Sequence, residues 1–359
     1  MKPLISIDAR MIAHSGIGTY LRNILPYLID SDRFSIELLG NPELLEKLGF
    51  SPKQGVSVRP VFCPIYSFKE HYQIPAAMSK NSKLLWVPHF NIPWLYKGRL
   101  VVTIHDILPM EKEFSSVWKR LYTLIFLKRI ESQAETVFTD SIFTKNRLEA
   151  HNLLIKSNQP VVTPLGIHSS WLNFQPGPRP HNNPYILYVG NIKPHKNLKT
   201  LLKAHSLLID APDLILVGKK SGFILGDSET IALATNNPKV HFTGEIPISD
   251  ETLSQYYRHA EALVFPSLYE GFGLPPLEAM ACGCPCIASD ISVLREFYGD
   301  SASFYSPPKD EVALAAQIEA ILKNPSLRQE MIQKGLQKAI SSTWEVAAQI
   351  IKNRLAQLL

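Results

Sequence analysis

The sequence predicts an α/β protein of two domains, each built on a parallel sheet with helices on its faces, and three observations carry that prediction. Short β-rich apolar runs alternate with helix-like segments, the alternation begins again near residue 185, and a proline-rich stretch separates the two series. Taken in order, Leu4-Ile5-Ser6-Ile7 reads as a buried strand, followed by a glycine-containing turn and a periodic helical stretch from Tyr20 to Ile29. Further strands are expected at Ser35–Leu39, Leu84–Pro88, Leu100–His105 and Thr136–Thr139. The second series runs through Tyr185–Gly190, Leu214–Gly218, Val240–Phe242, Ala262–Phe265 and Pro285–Ala288. Between them, Trp171–Pro184 holds four prolines, which can continue neither a helix nor a central strand. The expected division is therefore a parallel-sheet domain at 1–170, a linker at 171–184 and a second parallel-sheet domain at 185–343. Ser341 to Leu359, with Trp344, Val346, Ala347, Ile350, Ile351, Leu355 and Leu358 at helical spacing, reads as a final amphipathic helix.

A chain of 359 residues with 45% hydrophobic content can bury two ordinary cores. Its 4 cysteines, Cys63 and the cluster Cys282, Cys284 and Cys286, are too few and too lopsided for a disulfide framework, so a cytoplasmic location is expected. The first residues lack the apolar core of a secretory signal, and no run approaches the roughly 18 apolar residues of a membrane span. The formal charge is +5, and residues 1–150 carry all of the excess, with 19 Lys+Arg against 14 Asp+Glu. That bias suits an anionic acceptor or an acidic membrane surface, including peripheral contact at the inner face of a plasma membrane, and equally an ordinary solvated surface. Nucleic acid is not an expected partner, because no Lys/Arg run with interleaved aromatics is present.

The chemistry concentrates in Glu270-Gly271-Phe272-Gly273-Leu274-Pro275-Pro276-Leu277-Glu278. Gly271, Gly273 and the two prolines forbid a helix through the first half, so Glu270 sits on a loop. The prolines suit a first helical turn, and Gly283 suits the helix end. A strand, a glycine loop and a helix start make an anion site of free backbone N–H groups, with glycines allowing a ligand close approach. Glu278, expected in the first turn, can accept two hydrogen bonds from a vicinal diol such as a ribose. As single residues, either glutamate could equally be a dipole-complementing or solvated charge.

Upstream, Tyr188-Val189-Gly190-Asn191-Ile192-Lys193-Pro194-His195-Lys196-Asn197 leaves the carboxyl end of a strand, where α/β sheets bind ligands. Lys196 is the candidate grip on a diphosphate, weighed against an ordinary surface lysine. In the first half, Ser15-Gly16-Ile17-Gly18-Thr19 opens a helix; Leu21 stands where a dinucleotide fingerprint wants a third glycine, which weakens a nicotinamide reading. His105-Asp106 reaches the same kind of edge, where an imidazole could bond a sugar hydroxyl and a carboxylate could position it. Asp30-Ser31-Asp32 and the three clustered cysteines are read as a polar turn and buried small residues, and no metal site is expected. The basic, amphipathic Val117–Arg129 suggests a membrane surface, although a core-facing helix with basic edges is the preferred reading.

These residues resemble the retaining glycosyltransferases of family 4, which have the two-domain GT-B fold. Glu270 and Glu278 match the family's Glu-x7-Glu element within Pro266–Gly283, and the likeness extends to Gly190–Asn197, Pro164-Leu165-Gly166-Ile167, Val102–Asp106 and Ser15–Thr19. The resemblance implies two Rossmann-like domains facing a central cleft, with the last helix, about 344–359, crossing back to the first domain. It implies that Glu278 binds the nucleotide ribose, that Glu270 contacts the donor sugar, and that Lys196 with the backbone of Gly273 and Leu274 holds the diphosphate. Gly271 and Phe272 belong to the same donor loop, as do Asn191 and His195 to the facing one. Gly16 and Gly18 would line the donor from the opposite domain, with His105 and Asp106 at the transferring sugar. Many members carry an arginine where Asn191 stands, and His195 or an arginine of a neighbouring loop is the candidate replacement.

The function so implied is transfer of a hexose from a nucleotide-diphosphate sugar of the UDP-glucose or GDP-mannose type to a glycan or lipid-linked acceptor, with retention and with neither metal nor cofactor. Two other readings stay open: a nucleotide-sugar-binding protein without transfer activity, and a GT-B phosphorylase. The two glutamates are read as two contacts on one donor, not as an acid/base couple.

Overall fold

Continuous apolar runs become the centres of two parallel sheets. The computed structural model describes residues 2–14, 16–53, 55–153, 160–218, 228–243 and 248–359; Ser15 of the first glycine loop lies outside the described residues. The first sheet contains β1 (Leu4–Asp8), β2 (Ser35–Gly40), β3 (Val56–Pro60), β4 (Ser82–Val87), β5 (Leu100–Ile104), β6 (Ala134–Thr139) and β7 (Val161–Val162), in the order β3-β2-β1-β4-β5-β6-β7. The second contains β8 (Tyr185–Val189), β9 (Asp213–Val217), β10 (Val240–Phe242), β11 (Ala262–Phe265), β12 (Cys286–Ser289) and β13 (Ser303–Tyr305), in the order β10-β9-β8-β11-β12-β13. Neighbouring strands are parallel throughout both. Every residue of β5, β8, β9 and β11 is buried, as strands covered on both faces must be. Strand order reverses between β1 and β4 and again between β8 and β11. Beside such a switch point the connecting loops diverge and leave a crevice outside the carboxyl ends.

The chain divides into one unit of Met1–Leu165 with Trp344–Leu359 and a second of Gly166–Thr343. Residues 171–184, expected as a linker, pack within the second unit. Trp171 is buried edge-on to Tyr257, the Gly177 N–H donates to Gln255 Oε1 at 2.7 Å, and Arg258 donates to the Phe174 carbonyl at 2.6 Å. The prolines deny this segment regular structure, while Trp171 and the backbone polar groups still find partners.

The expected final helix forms as Trp344–Leu358, three residues after a preceding helix ends at Ser341, and it belongs to the first unit, as the resemblance implied. It buries Trp344, Ala347, Ala348, Ile351 and Leu355, with Trp344 edge-on to Tyr20 of the helix Gly16–Ile29 in the first unit. The helix Val117–Gln133 faces the core through Phe126, Leu127 and Ile130, as expected, but its other face is more apolar than that reading allowed. It buries Thr123, Phe126, Leu127 and Ile130, while Val117, Trp118, Leu121, Tyr122 and Ile125 are exposed. Cys282, Cys284 and Cys286 are buried and free, at a helix end and the start of β12. Among the described residues no helix is long and apolar enough to cross a membrane.

Candidate functional site

In the second unit, the loops leaving β8 and β11 flank the switch point, and their backbones are laced together. The Leu268 N–H donates to the His195 carbonyl at 2.7 Å. Asn197, buried and left-handed at φ 54°, donates through Nδ2 to the carbonyls of Pro266 and Pro308 at 3.0 and 2.8 Å. This lacing sets Lys196 against Glu270, with Nζ 2.6 Å from Oε1 and 5.5 Å from the Phe265 ring centroid. The two side chains are 20% and 10% exposed, so the pair is shielded yet reachable. The cation expected to meet a diphosphate is thus held by the carboxylate expected to meet the sugar.

The helix after this loop spans Leu274–Ala281. Gly273 caps it at φ 97°, ψ 84°, a backbone shape that favours glycine, and the Tyr298 hydroxyl donates to its carbonyl. A helix start leaves four backbone N–H groups without intrahelical partners; here Pro275 and Pro276 have none, so Gly273 and Leu274 are the two of the four that retain donors. Gly271 and Phe272 complete the loop, and Phe272 is buried, tilted against Phe297 with ring centroids 4.0 Å apart.

Glu278 is the fifth residue of this helix, one turn deeper than expected, because the helix begins at Leu274. The Tyr257 hydroxyl donates to Glu278 Oε2 at 3.0 Å. Burial raises the Glu278 carboxyl to about 7, against the opposing pull of that hydrogen bond. His195 is pushed the other way, to about 4, by burial and by neighbouring Lys196. It is therefore neutral at pH 7 and does not replace the cation missing at Asn191. Asn191 itself is exposed, and its carbonyl accepts from the Tyr188 hydroxyl at 3.2 Å.

The first unit carries a separate constellation at the carboxyl edge of its own sheet. His105 follows β5, with Nδ1 2.7 Å from Asp140 Oδ2 and Nε2 3.1 Å from the Pro88 carbonyl. A carbonyl only accepts, so Nε2 carries a proton. Although burial opposes the charge, Asp140 outweighs it and raises the imidazole pKa, which favours the imidazolium. To meet a sugar hydroxyl, Nε2 must exchange the Pro88 carbonyl for it. Asp106 Oδ1 accepts from the Leu108 N–H at 2.8 Å and so shapes the following turn. Gly16 and Gly18 differ in role. A Cβ at Gly16 meets no described atom within 4 Å, whereas one at Gly18 would lie 2.6 Å from the Ile12 carbonyl oxygen, so Gly18 is a packing glycine.

Sequence reasoning missed Asp140, Tyr257 and a buried network beside β1. There Arg10 binds Asp8 at 2.7 Å and Glu70 at 3.0 Å, while His89 Nε2 lies 3.3 Å from Asp8. The Asn91 N–H donates to His89 Nδ1, so this ring presents an Nε2–H to Asp8. Asp8 and Arg10 are two residues apart, but no local spacing links that pair to Glu70 or His89.

Comparison with known proteins follows the same lines. A family model described as "Glycosyl transferases group 1" matches residues 169–338. The O-antigen chain mannosyltransferase RfbU of Salmonella typhimurium is 30% identical over 268 residues, covering 75% of this chain and 72% of that enzyme. The O-antigen chain mannosyltransferase B of Escherichia coli is 37% identical over 166 residues; the match spans 45% of this chain and 42% of that enzyme. Among solved structures, sucrose-phosphate synthase from Thermosynechococcus elongatus aligns with TM-score 0.79 at 21% identity over 99% of both chains. Anabaena HepE in complex with UDP and glucose aligns with TM-score 0.75 at 17% identity, over 99% of this chain and 100% of that one. The two parallel-sheet units are those of the GT-B fold. The chain belongs to the group 1 glycosyltransferases.

Proposed function

We propose that the protein is a retaining glycosyltransferase of family 4 that moves a hexose from a nucleotide-diphosphate sugar to an acceptor hydroxyl in polysaccharide or glycolipid synthesis, without a metal at the reacting centre. The mannosyltransferase relatives favour mannose as the hexose and a GDP-mannose type of donor. The observation that carries the reading is the Lys196–Glu270 pair across the switch point, one loop from the paired N–H donors of Gly273 and Leu274 and followed by Glu278. As the glycosidic bond breaks, the sugar gains oxocarbenium character and the departing diphosphate gains negative charge. Lys196 and the two N–H groups stabilise that leaving group, and Glu270, released from Lys196, faces the sugar. Glu278 holds the ribose diol through the oxygen that Tyr257 leaves open. Retention then runs by front-face attack, with a diphosphate oxygen taking the acceptor proton.

Glu270→Gln is expected to lower turnover by about 100-fold or more, the scale of losing one transition-state contact, while nucleotide binding persists. Lys196→Ala is expected to weaken nucleotide binding itself. A thermal-shift screen across GDP, UDP, ADP and dTDP identifies the base, since a ligand at 100 times its Kd stabilises the fold by about 2.7 kcal/mol. Absence of a shift with all four would sink the donor site, and binding without turnover in the wild type would favour a binding protein.

We also propose peripheral contact with an acidic membrane through the helix Val117–Gln133. Trp118 is 80% exposed and Phe68 91%. Tyr122, Trp94 and His71 gather around the buried Phe126 ring, Tyr66 packs on Tyr122, and Lys119 and Lys128 are exposed on the helix. Co-sedimentation with phosphatidylglycerol vesicles is expected to fall with added salt and with Trp118→Glu; equal partition onto neutral vesicles would refute an electrostatic contact.

A further inference from the structure

At the amino edge of the second sheet, three side chains from separate segments converge. His181 precedes β8, Asp213 opens β9 and His241 lies in β10. His181 Nε2 stands 2.6 Å, and His241 Nε2 3.3 Å, from the same Asp213 Oδ2, and the ligand atoms all lie within 4.8 Å of one another. The imidazole rings are 4.9 Å apart, and His181 is held edge-on against buried Tyr185. Asn183 Nδ2 donates to that same oxygen at 3.0 Å and orients the carboxylate, while nearby Lys239 is directed to the Ala211 carbonyl at 2.6 Å.

We propose that His181, Asp213 and His241 form a structural binding site for a zinc-class transition-metal ion. Donors about 2.0–2.1 Å from a tetrahedral Zn2+ stand roughly 3.3 Å apart, so His241 and Asp213 already have the required spacing and His181 must withdraw by under an ångström. Two imidazoles and one carboxylate suit Zn2+, Co2+ or Ni2+ and not Mg2+ or Ca2+, which prefer oxygen ligands. Without an ion, one carboxylate oxygen is crowded by two imidazole nitrogens and an amide. With one, the neutral imidazoles bind through their lone pairs and the carboxylate keeps its Asn183 bond. The site lies at the opposite end of the strands from Lys196 and Glu270, about 16 Å away along the five residues of β8. It therefore takes no part in transfer: the ion ties the segment before β8 to β9 and the edge strand β10, and its binding energy adds to folding.

The test uses the full chain, stripped with a chelator and titrated with Zn2+, Co2+ or Mg2+. One equivalent of Zn2+ is expected, with a raised thermal midpoint, and no saturable Mg2+ binding. Co2+ is expected to give visible d–d bands without the charge-transfer band of a thiolate ligand. His241→Gln, at a half-buried position of an edge strand, is expected to weaken Zn2+ binding at least tenfold with circular dichroism unchanged. The proposal is overturned by absent stoichiometric Zn2+ binding, by a thiolate band that places the ion on cysteine, or by unaltered affinity in His241→Gln. Should that variant misfold, anomalous diffraction from a zinc-soaked wild-type crystal decides, and a lack of density between the three side chains refutes the site.

Discussion

Burial lifts the Glu278 carboxyl to about 7, and the Tyr257 hydroxyl, which holds the ionised form, recovers only part of that cost. A carboxyl raised from its ordinary value of 4.5 contributes stability that is complete below that value and is lost as pH rises through about 7. Glu278→Gln removes the loss. The variant is expected to match the wild type near pH 5 and to exceed it at pH 8.5 by about 1–3 kcal/mol, allowing for the partial exposure of the site; urea unfolding at the two pH values measures this. Nucleotide affinity should move oppositely. A ribose diol donates to the ionised carboxylate, so wild-type affinity is expected to rise through pH 7, while that of Glu278→Gln stays flat and lower. A wild-type affinity independent of pH would remove Glu278 from the ribose. The position of Glu278 was legible in the sequence because its glycines, prolines and partner glutamate lie within nine consecutive residues. Its titration was not, since Tyr257 is 21 residues away; likewise Asp140 is 35 residues from His105, and Glu70 is 60 from Arg10.

At the level of elements, the donor loop depends on how its helix begins. A Cβ at Gly273 would lie 3.1 Å from Phe265 Cε1 and 3.2 Å from Leu294 Cδ2, at a φ of 97°. Gly273→Ala is expected to destabilise the second unit by about 1–2 kcal/mol from the left-handed backbone alone, and to weaken nucleotide binding as the Gly273 and Leu274 N–H groups shift. Gly16→Ala provides the contrast: with open space at its Cβ, a stability change within about 0.5 kcal/mol is expected, so any loss of turnover reports contact with substrate. Calorimetry paired with nucleotide titration separates the two. The same level shows which strands a sequence reveals. Tyr185–Val189 and Ala262–Phe265 are buried throughout and read as unbroken apolar runs. The reading omits β3, β7 and β13: β3 ends in exposed Arg59 and Pro60, and the others are only 2 and 3 residues long, so pairing with a neighbour defines them where periodicity cannot.

For the molecule as a whole, sequence order and structural unit part company at Trp344, where the chain rejoins the unit formed by its first 165 residues. Helical spacing marked the apolar face of this segment and the family resemblance implied its return to the first domain; the packing supplies the particular partners. Trp344 is 2% exposed against Tyr20, Ile351 and Leu355 are fully buried, and Arg354 Nε donates to Thr136 Oγ1 at 2.8 Å. Burial of three large apolar side chains at about 1.5–3 kcal/mol each makes this helix worth on the order of 5 kcal/mol to the first unit, comparable with the net stability of a typical domain. A chain ending at Thr343 is therefore expected to lose protection in the first unit. The second unit, which keeps Lys196, Glu270, Gly273 and Glu278, is expected to remain folded and to bind nucleotide. Hydrogen exchange read by mass spectrometry distinguishes the units: fast exchange confined to β1, β2, β4 and the helix Gly16–Ile29 supports this account, and equal loss of protection in β8 and β11 contradicts it. Restoring residues 344–359 as a separate peptide is expected to slow exchange in the first unit, with Trp344→Ala in that peptide reducing the rescue, because the indole contributes the largest buried surface of the helix.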